Sequence, residues 1–260
     1  MGRSMHMPRG IALKCLFFQA FLLVAGSGAL ASAGPTTRPL VVHLPGIGGY
    51  LFVDRSLMAG LVAGGVKAQI QAYDWTVHDP GIDALHDYDR NHKEAAYLAG
   101  LIARRQARWP DARIVITSHS GGGGIAVWTL EKLPPEVRVD AVFLLAPALS
   151  PGYDLSAALR HVRGHMYVFY SKNDFLVLGA GCTLCGTIDG ELTNAAGYVG
   201  FVQPKSADTQ QYKKLRQIPY DPAWMSLGNL GDHIGPMARR FVAKIIAPMV
   251  IQALDDPAPP

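Results

Sequence analysis

Beyond residue 38, short apolar runs alternate with longer stretches whose apolar residues recur at helical spacing. Apolar runs without polar alternation are typical of strands buried on both faces, and their alternation with helices indicates a parallel sheet. The strands predicted in this way cover residues 40–44, 112–117, 137–145 and 166–170. Residues 66–73 are predicted as a strand because their pattern alternates, and residues 198–202 as a last strand.

Helices are predicted between these strands over residues 54–63, 91–109 and 122–133, with a closing helix over residues 237–254. In the longest of them, Ala95, Leu98 and Ile102 fall on one helical face, and Pro110 ends the helix. The predicted fold class is therefore α/β: a doubly wound, mostly parallel sheet flanked by helices. Residues 175–200 are rich in glycine and interrupt the alternation, so we interpret them as an insertion that forms a lid or a pocket rim.

The first 33 residues have the pattern of a secretory signal peptide. Arg3, Arg9 and Lys14 form a basic start, an apolar stretch follows, and small residues at positions 31–33 suit cleavage. An uncleaved anchor remains the alternative. The prediction is a signal peptide over residues 1–33, a single catalytic domain over residues 34–260, and a secreted or periplasmic location.

Removal of the leader changes the charge of the protein. The whole chain carries a net charge of +4, and the leader contributes three basic residues and no acidic ones, so the remainder carries +1. A chain this close to neutral lacks the strong basic character of a nucleic-acid-binding protein. We therefore expect no nucleic-acid partner, and membrane contact only through an uncleaved leader.

Two cysteines remain after cleavage, Cys182 and Cys185, in a C-x-x-C arrangement. In an oxidising compartment a local disulfide is the favoured interpretation, and a free pair is the next. A zinc site would need two further ligands at suitable spacing, and the sequence offers no second cluster. We expect no metal and no cofactor.

The predicted strand 112–117 leads directly into a Gly-rich turn and a helix, which places Ser120 at the turn. A nucleophile on a sharp strand-to-helix turn needs small residues two positions before and after it, and Ser118 and Gly122 meet this need. The alternative is a loop that cradles phosphate at a helix N-terminus. No Gly-Lys-Ser/Thr sequence follows, which favours the nucleophile.

A second Gly-rich loop follows the first strand, where His43-Leu44-Pro45-Gly46-Ile47 leads into two further glycines. Such a loop beside a nucleophile turn can supply a backbone donor to a developing oxyanion. We predict the amide of Ile47 as one donor and the amide of Gly121 as the other. The alternative is that Pro45-Gly46 forms only a turn.

An acid and a base complete the candidate chemistry. Asp174 follows the strand 166–170 and can orient an imidazole, although Asp154, Asp189 and Asp208 compete for this role. His233 lies in a tight loop just before the last helix, from which an imidazole can project toward the nucleophile. The other histidines lie near strand or helix ends, in a polar loop, or, as His119, directly beside Ser120.

Taken together, these motifs resemble the α/β-hydrolase superfamily over roughly residues 38–254, and the order of nucleophile, acid and base along the chain agrees with it. The resemblance implies a Ser120–His233–Asp174 triad that cleaves its substrate through an acyl-enzyme. Two departures are present: Ser118 replaces the usual glycine two positions before the nucleophile, and Pro45 stands where many members have histidine.

The resemblance implies an exported serine hydrolase, a carboxylesterase or lipase-like enzyme that acts on a small-molecule or lipid ester. Peptidase or thioesterase activity on the same triad is the alternative among enzymes. A hydrolase-fold binding protein without activity is the alternative from another class. The sequence does not distinguish the acyl groups accepted or the oligomeric state.

Overall fold

The computed structural model describes residues 39–76 and 79–255. Within these ranges, six parallel strands form one sheet in the order β2-β1-β3-β4-β5-β6. This confirms the predicted fold class. The strands are β1 (Leu40–Leu44), β2 (Gln69–Ala72), β3 (Ile114–His119), β4 (Ala141–Leu145), β5 (Met166–Tyr170) and β6 (Leu215–Pro219).

Successive side chains of the central strands enter different cores, because strand residues alternate between the two faces of a sheet. In β3, Ile114 and Ile116 belong to the core on one face, whereas Val115 belongs to the core on the other. The same alternation divides Leu144 from Phe143 in β4. Both faces are therefore apolar, which explains why these strands appear in the sequence as unbroken apolar runs.

Helices cover both faces of the sheet. The α-helices are α1 (Phe52–Ala63), α2 (Ile82–His86), α3 (Tyr88–Arg108), α4 (Gly122–Glu131), α5 (Ser156–Arg160), α6 (Cys182–Cys185), α7 (Ala196–Val199), α8 (Thr209–Tyr212), α9 (Arg239–Phe241) and α10 (Ala247–Asp255). The core that contains Ile116 also contains apolar residues of α3, α4, α5 and α8, and the core that contains Phe143 contains those of α1 and α10. Segments of π-helix occupy Phe175–Gly181 and Val242–Ile246, and 3₁₀ helices occupy Pro222–Leu227 and Gly235–Met237.

The last strand was predicted in the wrong place. Residues 198–202 do not form a strand; they include the end of α7, which stops at Gly200, where φ is 84°. The last strand is β6, which pairs only with β5 and leaves most of its side chains partly or fully exposed. An edge strand of this kind needs no apolar run, so its sequence resembles a loop.

The glycine-rich region after β5 is more regular than predicted. It begins with a wide helical segment at Phe175–Gly181 that continues into α6. The predicted closing helix is present, but it begins at Arg239, after Ala238 adopts an extended backbone. The signal-peptide prediction lies outside the described residues. In the part of the chain that the structure describes, no helix has the length and apolar character needed to cross a bilayer.

The strand order places the crevice of the sheet at the carboxyl ends of β1 and β3. From β1 the chain moves outward to β2 and then returns to the opposite side of β1 to form β3. Ligands of open parallel sheets bind where the direction of winding reverses in this way. The loop after β1 and the turn after β3 therefore lie on either side of the position expected for a ligand.

Candidate active site

Ser120 lies on a strained turn between β3 and α4. Its φ is 52°, in the left-handed region that residues with a side chain rarely adopt. Two hydrogen bonds fix the turn: the amide of Ser120 donates to the carbonyl oxygen of Leu145 (3.1 Å), and the amide of Ala148 donates to the carbonyl oxygen of Ser120 (3.0 Å). Strain that the surrounding structure maintains in this way is typical of a functional residue.

The small residues around Ser120 are required by close backbone contacts. A β-carbon at Gly122 would overlap the carbonyl oxygens of Leu44 and Pro45. Ser118, the unusual residue two positions before Ser120, is fully buried, and its hydroxyl donates to the carbonyl oxygen of Phe143 at 3.4 Å. The turn therefore accommodates serine there with its polar group satisfied.

The loop after β1 lies against the Ser120 turn. A β-carbon at Gly46 would be 3.3 Å from the β-carbon of Ser120, and one at Gly121 would be 2.7 Å from a methyl carbon of Ile47. Among the described residues, neither the Ile47 amide nor the Gly121 amide donates a hydrogen bond to another group. Two unpaired amides beside a nucleophile are the arrangement that an oxyanion hole needs.

Two hydrogen bonds hold this loop in place from the β2 side. The indole Nε1 of the buried Trp75 donates to the carbonyl oxygen of Pro45 at 2.8 Å. The amide of Gly81 donates to the carbonyl oxygen of Ile47 at 2.7 Å. Because the Ile47 carbonyl is bound in this way, the loop can present the adjacent amides in one orientation.

The predicted acid and base are joined. Asp174 follows β5 and is almost fully buried, and its Oδ2 accepts a hydrogen bond from Nδ1 of His233 at 2.7 Å. This contact directs the other ring nitrogen, Nε2, away from the carboxylate. The side chain of His233 is 17% exposed, so the imidazole has access to solvent and to a substrate.

The three competing aspartates are occupied elsewhere. Asp154 accepts hydrogen bonds from the amide and hydroxyl of Ser156, and Asp189 accepts from the amide and hydroxyl of Ser150. Asp208 caps α8 through its side chain. Asp174 is therefore the one of the four predicted candidates that contacts His233.

His119 connects the Ser120 turn to the loop of His233. Its Nε2 donates to the carbonyl oxygen of His233 at 2.8 Å, and the two ring centres are 4.7 Å apart. Burial, with a smaller contribution from the charge of His233, lowers the pKa of His119 to about 3. It is therefore a neutral donor at pH 7. In the described chain, Ser120 itself makes no side-chain hydrogen bond to His233; such contacts are often long before substrate binds.

No protein-family model and no curated protein sequence matches the chain. Solved structures do match. Lipase B from Aspergillus fumigatus is 14% identical, with a TM-score of 0.52, over 87% of this chain and 54% of the lipase. A cutinase-like protein from Cryptococcus sp. is 15% identical, with a TM-score of 0.45, over 87% of this chain and 98% of that protein. A candidate hydrolase of the alpha/beta superfamily from Xanthomonas campestris pv. campestris is 17% identical, with a TM-score of 0.46, over 83% and 99%.

The chain has the α/β-hydrolase fold. The parallel sheet, its strand order and the similarity to solved structures agree on this point. In this α/β-hydrolase fold, the positions at the carboxyl ends of β1, β3 and β5 are occupied by the Ile47 loop, Ser120 and Asp174, and His233 comes from the loop before the last helix.

Exposed apolar side chains follow directly after the site residues of this α/β-hydrolase fold. Leu176, which is 81% exposed, and Phe175 come immediately after Asp174, and Ile234 comes immediately after His233. Phe52, which is 73% exposed, stands at the end of the Ile47 loop. The chain segments that carry the site residues therefore also carry exposed apolar side chains.

The disulfide expected between the two remaining cysteines is not present. Cys182 and Cys185 are free thiols at the two ends of α6. Cys182 is turned into an apolar cluster with Leu178 and Ala195, whereas Cys185 is exposed. The expected disulfide is therefore wrong for this structure, in which the two thiols lie near enough to interact electrostatically but are not bonded.

Sequence reasoning missed the groups that hold the site together. The Trp75–Pro45 hydrogen bond spans 30 residues, and the His119–His233 hydrogen bond spans 114. In the sequence, His119 is distinguished only by its position beside Ser120. No local pattern indicates either contact, because both join residues far apart in the chain.

Proposed function

We propose that this protein is an exported serine hydrolase that cleaves carboxylic esters through an acyl-enzyme on Ser120. The observation that carries the proposal is the strained Ser120 turn, connected through His119 to the loop that holds the Asp174–His233 pair. The two unpaired amides of the adjoining loop and turn support it further.

In the first half of the proposed reaction, Nε2 of His233 accepts the hydroxyl proton of Ser120 while Oγ attacks the ester carbonyl. The amides of Ile47 and Gly121 donate to the oxyanion of the tetrahedral intermediate. Asp174 accepts the Nδ1 proton of His233 in a hydrogen bond and stabilises the imidazolium. Collapse of the intermediate breaks the ester C–O bond, and the alcohol leaves with the proton from His233.

In the second half, a water molecule replaces the alcohol. His233 accepts a proton from the water as its oxygen attacks the acyl carbon, and the same two amides stabilise the second oxyanion. The bond to Oγ then breaks, the proton returns to Ser120, and the carboxylic acid leaves. Each proton that His233 accepts is returned in the same half-reaction, so no cofactor is needed.

The exposed apolar residues beside the site support an ester whose acyl or alcohol group is apolar, including a lipid ester. Leu176, Phe52 and Ile234 offer contact area to a hydrocarbon chain and no charge. Aliphatic p-nitrophenyl esters of increasing chain length, with matched thioesters and anilides, test this preference. Faster cleavage of the thioesters or the anilides would favour the alternative activities.

A fluorophosphonate probe tests the nucleophile. We expect stoichiometric labelling of the purified protein and none of Ser120→Ala, with Ser118→Ala as a matched control that remains labelled. Labelling that survives Ser120→Ala, or its absence from the wild-type protein, contradicts catalysis at Ser120 and favours a binding protein. The proposed export is tested by sequencing the N-terminus of protein recovered outside the cytoplasm, which we expect to begin at residue 34.

A further inference from the structure

The loop that carries the Ile47 amide is bounded by two buried polar residues that the proposed reaction does not use. His43 lies in β1, just before the loop, and Asp54 lies in the first turn of α1, just after it. Oδ1 of Asp54 accepts a hydrogen bond from Nε2 of His43 at 2.8 Å, and Oδ2 accepts one from the amide of Leu51 at 2.7 Å. One carboxylate therefore joins both ends of the loop.

The same arrangement reaches the strand of the nucleophile. Nδ1 of His43 lies 3.0 Å from the hydroxyl of Thr117, three residues before Ser120, and the two residues are paired in the β1–β3 register. With Nε2 donating to the carboxylate, Nδ1 accepts the hydroxyl proton of Thr117. A continuous series of hydrogen bonds thus runs from β3 through His43 and Asp54 to Leu51.

Burial makes this series rigid and costly to disturb. His43 and Thr117 are fully buried, and Asp54 is 1% exposed. A buried carboxylate is unfavourable unless its oxygens are hydrogen-bonded, and both oxygens of Asp54 are. Apolar residues of similar volume often stabilise a core equally well, so a retained buried pair of this kind suggests a role in fixing one geometry.

We propose that Asp54 is a positioning residue that, with His43, holds the oxyanion loop so that the Ile47 amide faces the position of the oxyanion beside Ser120. This inference rests on the proposed function for its catalytic consequence. Its structural consequence, a loop ordered by Asp54, does not depend on activity, so the two can be tested separately.

Asp54→Ala tests the proposal, and Asp140→Ala is the matched control. Asp140 is also a buried carboxylate that accepts a backbone amide, that of Ile114 at 2.6 Å, but it lies at the amino ends of β3 and β4, whereas the oxyanion loop follows the carboxyl end of β1. Asp140 also pairs with Arg113 at 3.0 Å and accepts a hydrogen bond from Arg163 at 3.1 Å. Both substitutions remove a buried acceptor. Only the first removes a contact to the oxyanion loop.

The first measurement is amide hydrogen exchange by mass spectrometry, resolved for residues 46–51. We expect exchange there to be at least about tenfold faster in Asp54→Ala, because the loop loses the contact at each of its ends, and unchanged in Asp140→Ala. Equal exchange in the wild-type protein and Asp54→Ala overturns the proposal, whether or not the protein hydrolyses esters.

The second measurement is the kinetics of p-nitrophenyl acetate hydrolysis. Loss of one oxyanion donor costs about 10²–10³ in kcat, so a misaligned donor should cost about 10–100-fold, with KM changed by less than about threefold. Asp140→Ala should retain kcat within about twofold. A kcat loss shared equally by both variants overturns the positioning role, because it would report stability alone.

A conservative variant guards against failure to fold. Asp54→Asn keeps an oxygen that can accept from the Leu51 amide, so both readouts should fall between those of the wild type and Asp54→Ala. If Asp54→Ala does not fold, Asp54→Asn is compared with Asp140→Asn instead. We then expect faster loop exchange and a lower kcat in Asp54→Asn only. Fluorophosphonate labelling of the wild-type protein identifies failure of the proposed function: faster loop exchange without labelling leaves Asp54 as a positioning residue in a protein whose proposed activity is wrong.

Discussion

Among the residues that the structure describes, two Asp–His pairs have nearly equal geometry but very different surroundings. Asp174 and His233 are joined at 2.7 Å, and Asp54 and His43 at 2.8 Å. The second pair continues to a hydroxyl, that of Thr117. Yet His43 and Thr117 are fully buried in regular strands, whereas His233 projects from a loop with 17% of its side chain exposed.

The comparison shows that an acid, an imidazole and a hydroxyl in series do not by themselves make a catalytic site. Thr117 is fully buried within β3, so a substrate cannot approach its hydroxyl. Ser120 lies beyond the end of the same strand on a strained turn, next to unpaired amides. Two features therefore distinguish the proposed catalytic Asp174–His233 pair from the proposed positioning Asp54–His43 pair: access of a substrate to the hydroxyl, and backbone amides that can donate to an oxyanion.

The largest effect should come from the imidazole of the exposed pair. His233→Ala removes the proposed general base, so we expect kcat for an activated ester to fall by about 10⁴–10⁶-fold. Steady-state hydrolysis of p-nitrophenyl acetate measures it, with circular dichroism to verify folding. A folded His233→Ala variant that retained more than about a tenth of the wild-type kcat would rule out His233 as the base.

A somewhat smaller loss should follow from Asp174→Asn, about 10³–10⁴-fold in kcat, because the amide no longer favours the required tautomer of His233. Asp154→Asn is the matched control, since Asp154 accepts hydrogen bonds from Ser156 rather than from His233, and its replacement should leave kcat within about twofold. Equal losses of kcat in the two variants would contradict the assignment of Asp174, rather than Asp154, as the acid that orients His233.

The sequence allowed the fold to be predicted where burial dictates composition. β1 and β5 have the predicted bounds because strands covered on both faces are predominantly apolar and appear as short apolar runs. β6 was missed because it is an edge strand with mostly accessible side chains. Ser120, Asp174 and His233 were predictable individually, because each stands at a recognisable turn or loop next to a strand or helix end.

The contacts that organise these residues were not predictable in the same way. The His43–Thr117 hydrogen bond spans 74 residues, and the His119–His233 hydrogen bond spans 114. No local pattern encodes such a pairing, because it depends on the strand order. The predicted disulfide is not formed in this structure, because C-x-x-C spacing brings two thiols near each other without requiring a bond between them.

The exposed pair should matter more for kcat, whereas the buried pair should matter more for the free energy of unfolding. His43→Ala leaves the Asp54 carboxylate buried without its partner, so we expect the free energy of unfolding to fall by about 3–5 kcal/mol. His233→Ala should cost roughly 1 kcal/mol, because the opened loop admits water to Asp174. Urea unfolding at pH 7 measures both values. A larger loss for His233→Ala would show that solvent access does not distinguish the pairs.

His119 should make the free energy of unfolding depend on pH in the acidic range. The pKa of His119 is lowered from 6.5 to about 3 by burial, so the unfolded chain binds a proton more readily than the native one between these values. The contribution of a neutral His119 is therefore complete above about pH 6.5 and declines as the pH falls toward 3. Urea midpoints between pH 7 and pH 4.5 should decrease, and less steeply in His119→Gln. Parallel slopes for the two proteins would exclude His119 as the source.

The smallest effect on kcat that we expect comes from chemical modification of the cysteines, of which Cys182 lies near Asp174. Burial, followed by the charge of Asp174, raises the pKa of Cys182 to about 12, whereas Cys185 is exposed. Because the thiolate is the reactive form, iodoacetamide at pH 8 should modify Cys185 at least about 100-fold faster than Cys182, with little change in kcat. Cys185→Ser, in which Cys182 should react only on unfolding, is the control. Modification of both cysteines only after reduction would instead reveal a disulfide, and with it a rearranged α6 next to Asp174.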